Sequence, residues 1–189
     1  MCGCSMRWLQ LCLLLLVLPL GACALNGKTT TYAIEQRGVY TLGGGDVLRV
    51  KVYGDETVTG TYKVDDAGTV SMPLIGQLQV SGRTTAQAAA AIAAALANGF
   101  VRNPDVAVEI EAYRPFFIQG AVRGGGQFAY VSGMTVRAAV STAGGYTDTA
   151  FRQRATIYRK VGEQMQKSVV DLDFPIFPGD TIVIAERWL

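Results

Sequence analysis

The sequence predicts an α+β chain: a small β-rich domain holding one alanine-rich helix, followed by a second β-rich domain with a short helix of its own. Three observations predict it. Apolar and polar residues alternate with a period of two in several short runs, as they do along half-buried strands. One stretch, Ala86 to Ala97, is nearly all alanine, the residue of highest helix propensity. And 22 glycines with 6 prolines break the 189 residues often enough to favour short strands over a helical bundle.

The totals narrow the function. A chain of 189 residues holds one domain or two small ones. Lys+Arg is 17 and Asp+Glu 15, both spread along the chain without runs. No basic stripe exists to track a phosphate backbone, so nucleic acid is not an expected partner. Histidine is absent, which removes His-dependent triads, His metal sites and a histidine pH switch together.

Residues 1–22 read as a signal peptide. Trp8 to Leu18 is an apolar run behind Arg7, about half of the roughly 20 residues a spanning helix needs. Met6 as the start would place Arg7 directly in the charged region. The run ends in Leu20-Gly21-Ala22-Cys23, which resembles the bacterial lipobox apart from Pro19 just upstream. That resemblance makes Cys23 the lipid-attachment residue and the mature N-terminus. Cleavage there removes Cys2, Cys4 and Cys12, leaving one cysteine and no internal disulfide. Ala24 in place of aspartate implies, by resemblance to lipoprotein sorting, transfer to the outer membrane, where several acyl chains hold the protein. Residues 23–39, polar and carrying Thr29-Thr30-Thr31, read as a tether.

The first folded domain is expected over 40–113. Gly43-Gly44-Gly45-Asp46 opens a strand in which Leu48, Val50 and Val52 point one way, and Val47, Arg49, Lys51 and Tyr53 the other. A second, polar strand reaches the turn Asp65-Asp66-Ala67-Gly68. A return run from Val70 to Gly76 carries Pro73, which suits an edge or a strand end. Gln77 to Val80 is expected to continue the same sheet. Thr84 with Gln87 three residues on forms a capping box for the alanine helix, with Ile92 and Leu96 at i and i+4. Asn98-Gly99 stops it. The alanine face has two readings, plain helix propensity or close approach to a neighbouring subunit. Val106, Val108 and Ile110 then alternate with Ala107, Glu109 and Glu111. The two glutamates suit a half-exposed strand better than a glycosidase pair, which flanks a cleft with one acid's pKa raised.

The second domain is expected over 114–189. A strand from Phe116 to Val122 leads into Gly124-Gly125-Gly126, a hairpin turn and not a phosphate cradle, since no Lys-Ser/Thr follows. A helix from Thr135 to Ala143 ends at Gly144-Gly145. Ala155 to Val161 and Met165 to Asp171 form a hairpin around Gly162-Glu163, and Gly179-Asp180 launches a closing strand from Thr181 to Ala185. Gly-Asp before a strand thus occurs twice, at Gly45-Asp46 and Gly179-Asp180. Both suit a local turn in which glycine supplies the φ and aspartate accepts backbone N–H groups. Neither aspartate is a catalytic or metal candidate, and Asp171 with Asp173 lacks a calcium loop.

Taken in order, Tyr40, Leu42-Gly43-Gly44-Gly45-Asp46, Val64-Asp65-Asp66-Ala67-Gly68 and Pro73-Leu74-Ile75-Gly76 resemble the polysaccharide biosynthesis/export proteins of the Wza type. Arg114-Pro115, Gly120-Ala121-Val122, Gly125-Gly126-Gln127-Phe128 and Ala143-Gly144-Gly145 resemble the soluble-ligand-binding (SLBB) β-grasp domain that follows in the same family, with Gly125 where proline is usual. The resemblance makes Gly43, Gly45, Asp46, Asp65, Gly68, Pro73, Gly76, Gly179 and Asp180 structural motif residues. It implies no catalytic residue, no cofactor and no metal. It implies an outer-membrane lipoprotein, its body in the periplasm, whose copies form a ring, octameric in the family. The ring passes exopolysaccharide or capsular polysaccharide, fed by an inner-membrane co-polymerase. Longer members continue into an amphipathic membrane-crossing helix after the point where Glu186-Arg187-Trp188-Leu189 stands here. That leaves an accessory glycan-binding lipoprotein, coupling the co-polymerase to a separate porin, as the alternative.

Overall fold

The computed structural model describes residues 40–162 and 164–187. The expected signal peptide over 1–22, the lipid-attachment residue Cys23 and the tether over 23–39 lie outside the described residues, as do Glu163, Trp188 and Leu189. Among the described residues strands dominate, with two helices. In chain order the elements are β1 (Val47–Val52), β2 (Gly60–Lys63), β3 (Thr69–Met72), β4 (Gly76–Gln79), α1 (Thr85–Ala97), β5 (Val106–Ala112), β6 (Phe116–Gly120), β7 (Gly126–Phe128), α2 (Val136–Thr142), β8 (Arg154–Val161), β9 (Gln164–Asp171) and β10 (Thr181–Ile184).

Alternation along β1 works as its sequence predicts: Leu48, Val50 and Val52 are buried, Arg49 and Lys51 exposed. β1 is the middle strand of a three-stranded antiparallel sheet in the order β2-β1-β5, with Val50 opposite Gly60 on one side and Val108 on the other. Helix α1 covers the apolar side. The Gln87 amide N–H donates to Thr84 Oγ1 at 3.2 Å and the Thr84 amide N–H to Gln87 Oε1 at 2.9 Å, which satisfies two otherwise orphaned helix donors. Ala88, Ile92 and Leu96, one turn apart, bury themselves against Leu48, Val58, Val64 and Val80. The helix stops at Gly99, whose φ of 100° a residue with a Cβ resists.

The return run departs from expectation. Val70 to Val80 is not one strand extending the first sheet. It is a hairpin of β3 and β4, forming a separate two-stranded sheet. The reversal comes at Leu74, whose φ is 68°, with the Ile75 amide N–H donating to the Pro73 carbonyl at 2.8 Å. This three-residue γ-turn places a leucine in the region normally left to glycine. Pro73 sits just past the end of β3, where its missing N–H costs nothing.

The second core collects Phe116, Ile118, Ile157, Ile176, Ile182 and Ile184. Its five-stranded sheet runs β7-β6-β10-β8-β9, with β10 parallel to β6 and every other pair antiparallel. Val136, Ala139 and Val140 of α2 belong to the same core. β6 ends at Gly120 and does not reach Val122: the chain turns there at φ 91°, and an added Cβ would collide with the Ile184 carbonyl oxygen. Val122 instead forms an isolated bridge to Tyr146.

Candidate functional site: the joint between the two cores

The two Gly-Asp turns meet in space. At the first, Gly45 takes φ 92°, and the Asp46 amide N–H donates back to the Gly43 carbonyl at 3.1 Å. The Gly43 amide N–H donates to Asp46 Oδ2 at 2.8 Å. The second repeats the plan: Gly179 takes φ 87°, the Asp180 amide N–H donates to the Phe177 carbonyl at 3.1 Å, and the Phe177 amide N–H donates to Asp180 Oδ2 at 2.7 Å. The turns expected from the sequence are therefore present.

Both carboxylates are fully buried, and each has an arginine. Arg114 donates to Asp46 twice, from its amide N–H at 2.9 Å and from Nη1 at 3.2 Å. Arg159 grips Asp180 with a two-pronged fork, Nε at 2.8 Å and Nη2 at 2.7 Å. Tyr40 Oη lies 2.8 Å from both oxygens of Asp46. Burial first, and the Asp46 carboxylate second, push the Tyr40 hydroxyl well above the usual phenol range, so it stays a donor. Neither arginine partner was evident from the turn motifs. Arg159 carries a signal nonetheless: Ala155, Ile157 and Arg159 share the inward phase of β8, and a charge in that phase needs a buried counter-ion.

Arg114 also ties the two cores together. Its Nε donates to the Pro178 carbonyl at 3.2 Å, and the Gly179 amide N–H donates to the Pro115 carbonyl at 2.9 Å. A Cβ on Gly43 would run into the Arg114 guanidinium, and one on Gly179 would come within 3.2 Å of Arg114 Nε. Three tyrosines extend the joint edge to face, Tyr40 to Tyr113 at 5.1 Å and Tyr113 to Tyr130 at 5.4 Å between centroids. Beside it lies a polar cleft of about 560 Å³, lined among others by Gly44, Gly68, Arg114, Arg159 and Lys160.

The remaining motif residues divide between two places. Asp65 flanks the cleft and closes its own turn, accepting from the Thr69 amide N–H at 2.7 Å and from Thr69 Oγ1 at 2.6 Å. The Thr69 hydroxyl, then its backbone N–H, hold the Asp65 carboxyl below its ordinary value. Gly68, at φ 81°, lies against Ser81, which leaves no room for a Cβ. Pro73 and Gly76 sit apart, at the ends of the β3–β4 turn.

Two further acids are engaged away from the joint. Glu111 accepts from Thr61 Oγ1 at 2.8 Å and from Arg49 at 3.4 Å, and these, Thr61 first, lower its pKa, the reverse of the raised acid that glycoside hydrolysis uses. Asp173 is bound by Arg137 at 2.8 and 3.1 Å. Among the described residues no group of three or more His, Cys, Asp or Glu is placed to hold a metal ion, and no helix is long and apolar enough to cross a membrane.

Comparison with known proteins fits this two-part body. Residues 34–111 match the model of the polysaccharide biosynthesis/export protein family, and residues 115–168 match that of the SLBB domain. The chain is 35% identical over 138 residues to the exopolysaccharide production protein ExoF of Rhizobium meliloti, covering 67% of this chain and 32% of ExoF. It is 25% identical over 159 residues to the polysialic acid transport protein KpsD of Escherichia coli, covering 78% of this chain and 28% of KpsD. The chain thus spans about a third of the length of the relatives it matches. Arg114, the residue that ties the joint, falls between the two matched segments, and the chain belongs to the polysaccharide biosynthesis/export family of Wza-type proteins.

Proposed function

We propose that the chain is the periplasmic body of an outer-membrane lipoprotein whose copies form a ring-shaped conduit for exopolysaccharide or capsular polysaccharide. The observation that carries it is the buried joint, in which Arg114 binds Asp46 of the export segment and the Pro178 carbonyl of the second core. A conduit needs subunits of fixed shape, a hydrated lumen and weak contacts to its cargo, because tight binding would stop export. The names of ExoF and KpsD, one for exopolysaccharide production and one for polysialic acid transport, support polysaccharide as the cargo. The sheet order β7-β6-β10-β8-β9, with a central parallel pair and α2 between the two hairpins, supports a β-grasp domain over 114–189. In this reading Cys23 holds the protein to the outer membrane, 40–113 is the export domain, and an inner-membrane co-polymerase delivers the polymer. The work is done by subunit geometry and not by reactive groups.

Deleting the coding sequence, in a cell with no second copy, is expected to abolish surface polysaccharide, measured as uronic acid or hexose released from washed cells. Secretion at its normal level overturns the function. Cys23→Ser is expected to move the protein from the membrane to the soluble fraction, and unchanged fractionation removes the lipid anchor.

A further inference from the structure

Among the described residues, the two longest strands that keep one edge without a hydrogen-bonding neighbour are β9 and β5. β9, of 8 residues, pairs with β8 alone, and β5, of 7 residues, pairs with β1 alone. Among the described residues, the backbone groups of Gln164–Val170 and Val106–Ala112 have no partners outside those two ladders. The other edge strands among the described residues are shorter: 4 residues in β2, 3 in β7 and 4 each in β3 and β4. A long unpaired edge is a template for another strand. β9 has no proline and no bulge to blunt it; Lys167 is its one basic residue, and its exposed residues include Met165 at 64% and Val169 at 62%.

The two edges are complementary in charge. β9 carries Lys167, with Lys160 of β8 opposite Met165. β5 carries Glu109 and Glu111, and with Arg49 engaged by Glu111, Glu109 has no ion-pair partner among the described residues. We propose that β9 of one copy pairs edge to edge with β5 of the next, Lys167 lying against Glu109 and Met165 and Val169 gaining cross-strand neighbours on the same face. The proposal rests on the ring reading above and says how the ring is made. Because the two edges belong to different halves of the chain, the contact can run head to tail, and repetition closes into a ring where the rotation per copy divides the circle and runs on as an open filament where it does not.

The test uses the full chain, solubilised in detergent, with assembly followed by sedimentation velocity over a concentration series. Lys167→Glu and Glu109→Lys each place like charges together and are expected to raise the midpoint concentration of assembly by about 3- to 10-fold. The double variant Lys167→Glu/Glu109→Lys restores it to within about 2-fold. Thermal melting of each variant confirms folding, since both positions are at the surface. Benzoylphenylalanine in place of Met165 is expected to cross-link to the peptide containing residues 106–112 of a second copy. Rings that persist through both single reversals, with cross-links to other peptides, overturn the edge pairing and leave the conduit standing. Monomers at every concentration overturn both.

Discussion

Asp46→Ala against Arg114→Met tests which member of the joint the other depends on. Asp46 accepts from four donors: the Tyr40 hydroxyl, the Gly43 amide, the Arg114 amide and Arg114 Nη1. Removing it strands all four, two of them on a residue that also anchors the second core. Breaking a buried ion pair from one side costs about 3–5 kcal/mol. The Arg114 side chain keeps 28% of its surface exposed, so water takes up part of the freed guanidinium. That places Asp46→Ala near the lower end, at about 3 kcal/mol. Arg114→Met is milder, because the carboxylate keeps three of its donors, the Arg114 backbone N–H included. It loses one charge-assisted bond of 3.2 Å and the link to Pro178, about 1.5 kcal/mol in total. Equilibrium urea unfolding reads both numbers. The aspartate variant is expected to be the less stable by about 1.5 kcal/mol, a gap of a few degrees in melting temperature for a body of this size. An equal or reversed order would show that the arginine side chain, and not the buried acceptor, organises the joint.

Further outcomes follow from single backbone positions. Gly68→Ala meets both a left-handed φ and the Ser81 side chain, whereas Gly82→Ala, at φ 78°, meets open space. The first is expected to cost about 2–3 kcal/mol and the second about 1, read from thermal melts; equal costs would remove the steric account. Leu74→Gly relieves a left-handed leucine that is half exposed, and it should stabilise the chain by about 0.5–1 kcal/mol. A loss of that size would mean that the leucine side chain packs. Asp65, Glu111 and Asp173 have folded-state pKa values below their ordinary ones, held down chiefly by Thr69, Thr61 and Arg137 respectively. Their contribution is complete above the ordinary carboxylate range and is lost as pH falls through the lowered values, so the urea midpoint drops below about pH 4. Asp65→Asn should flatten that loss, and an unchanged acid profile would contradict it.

Much of the fold could be read along the chain because it is set by neighbours in sequence. The β1 alternation, the Thr84–Gln87 box, the Gly99 stop and both Asx-type turns each involve residues within a few positions of one another. What could not be read was long-range or against local preference. Arg114 lies 68 positions from Asp46, and Arg159 lies 21 from Asp180; nothing in a turn motif specifies which cation will arrive. The parallel pairing of β6 with β10 joins strands about sixty residues apart and leaves no turn signal. The β3–β4 reversal was hidden because it uses Leu74 where a glycine would have announced the turn. Arg159 is the instructive middle case. Its position after Ala155 and Ile157 put a charge in an apolar phase, a local inconsistency of the kind that marks a buried pair.

In the proposed ring the joint matters beyond stability, because errors of angle accumulate from copy to copy. If each copy contacts the next through its other half, the rotation per subunit includes the angle between the two cores. A flexible linker there would let every copy choose a different angle, and closure would compete with open chains. Here the link between β5 and β6 is three residues, Tyr113 to Pro115, and all three are engaged. Tyr113 meets Tyr40 and Tyr130 edge to face, Arg114 reaches both cores, and the Pro115 carbonyl accepts from Gly179. Each of these contacts uses a backbone group or a ring locked by packing, so few rotamers remain to be ordered on assembly. Two glycines, Gly43 and Gly179, let the Arg114 side chain lie this close to both turns. The repeated Gly-Asp turn thereby does at the boundary what neither copy does alone: it supplies a buried carboxylate on each side of the seam and fixes the angle at which one core meets the other.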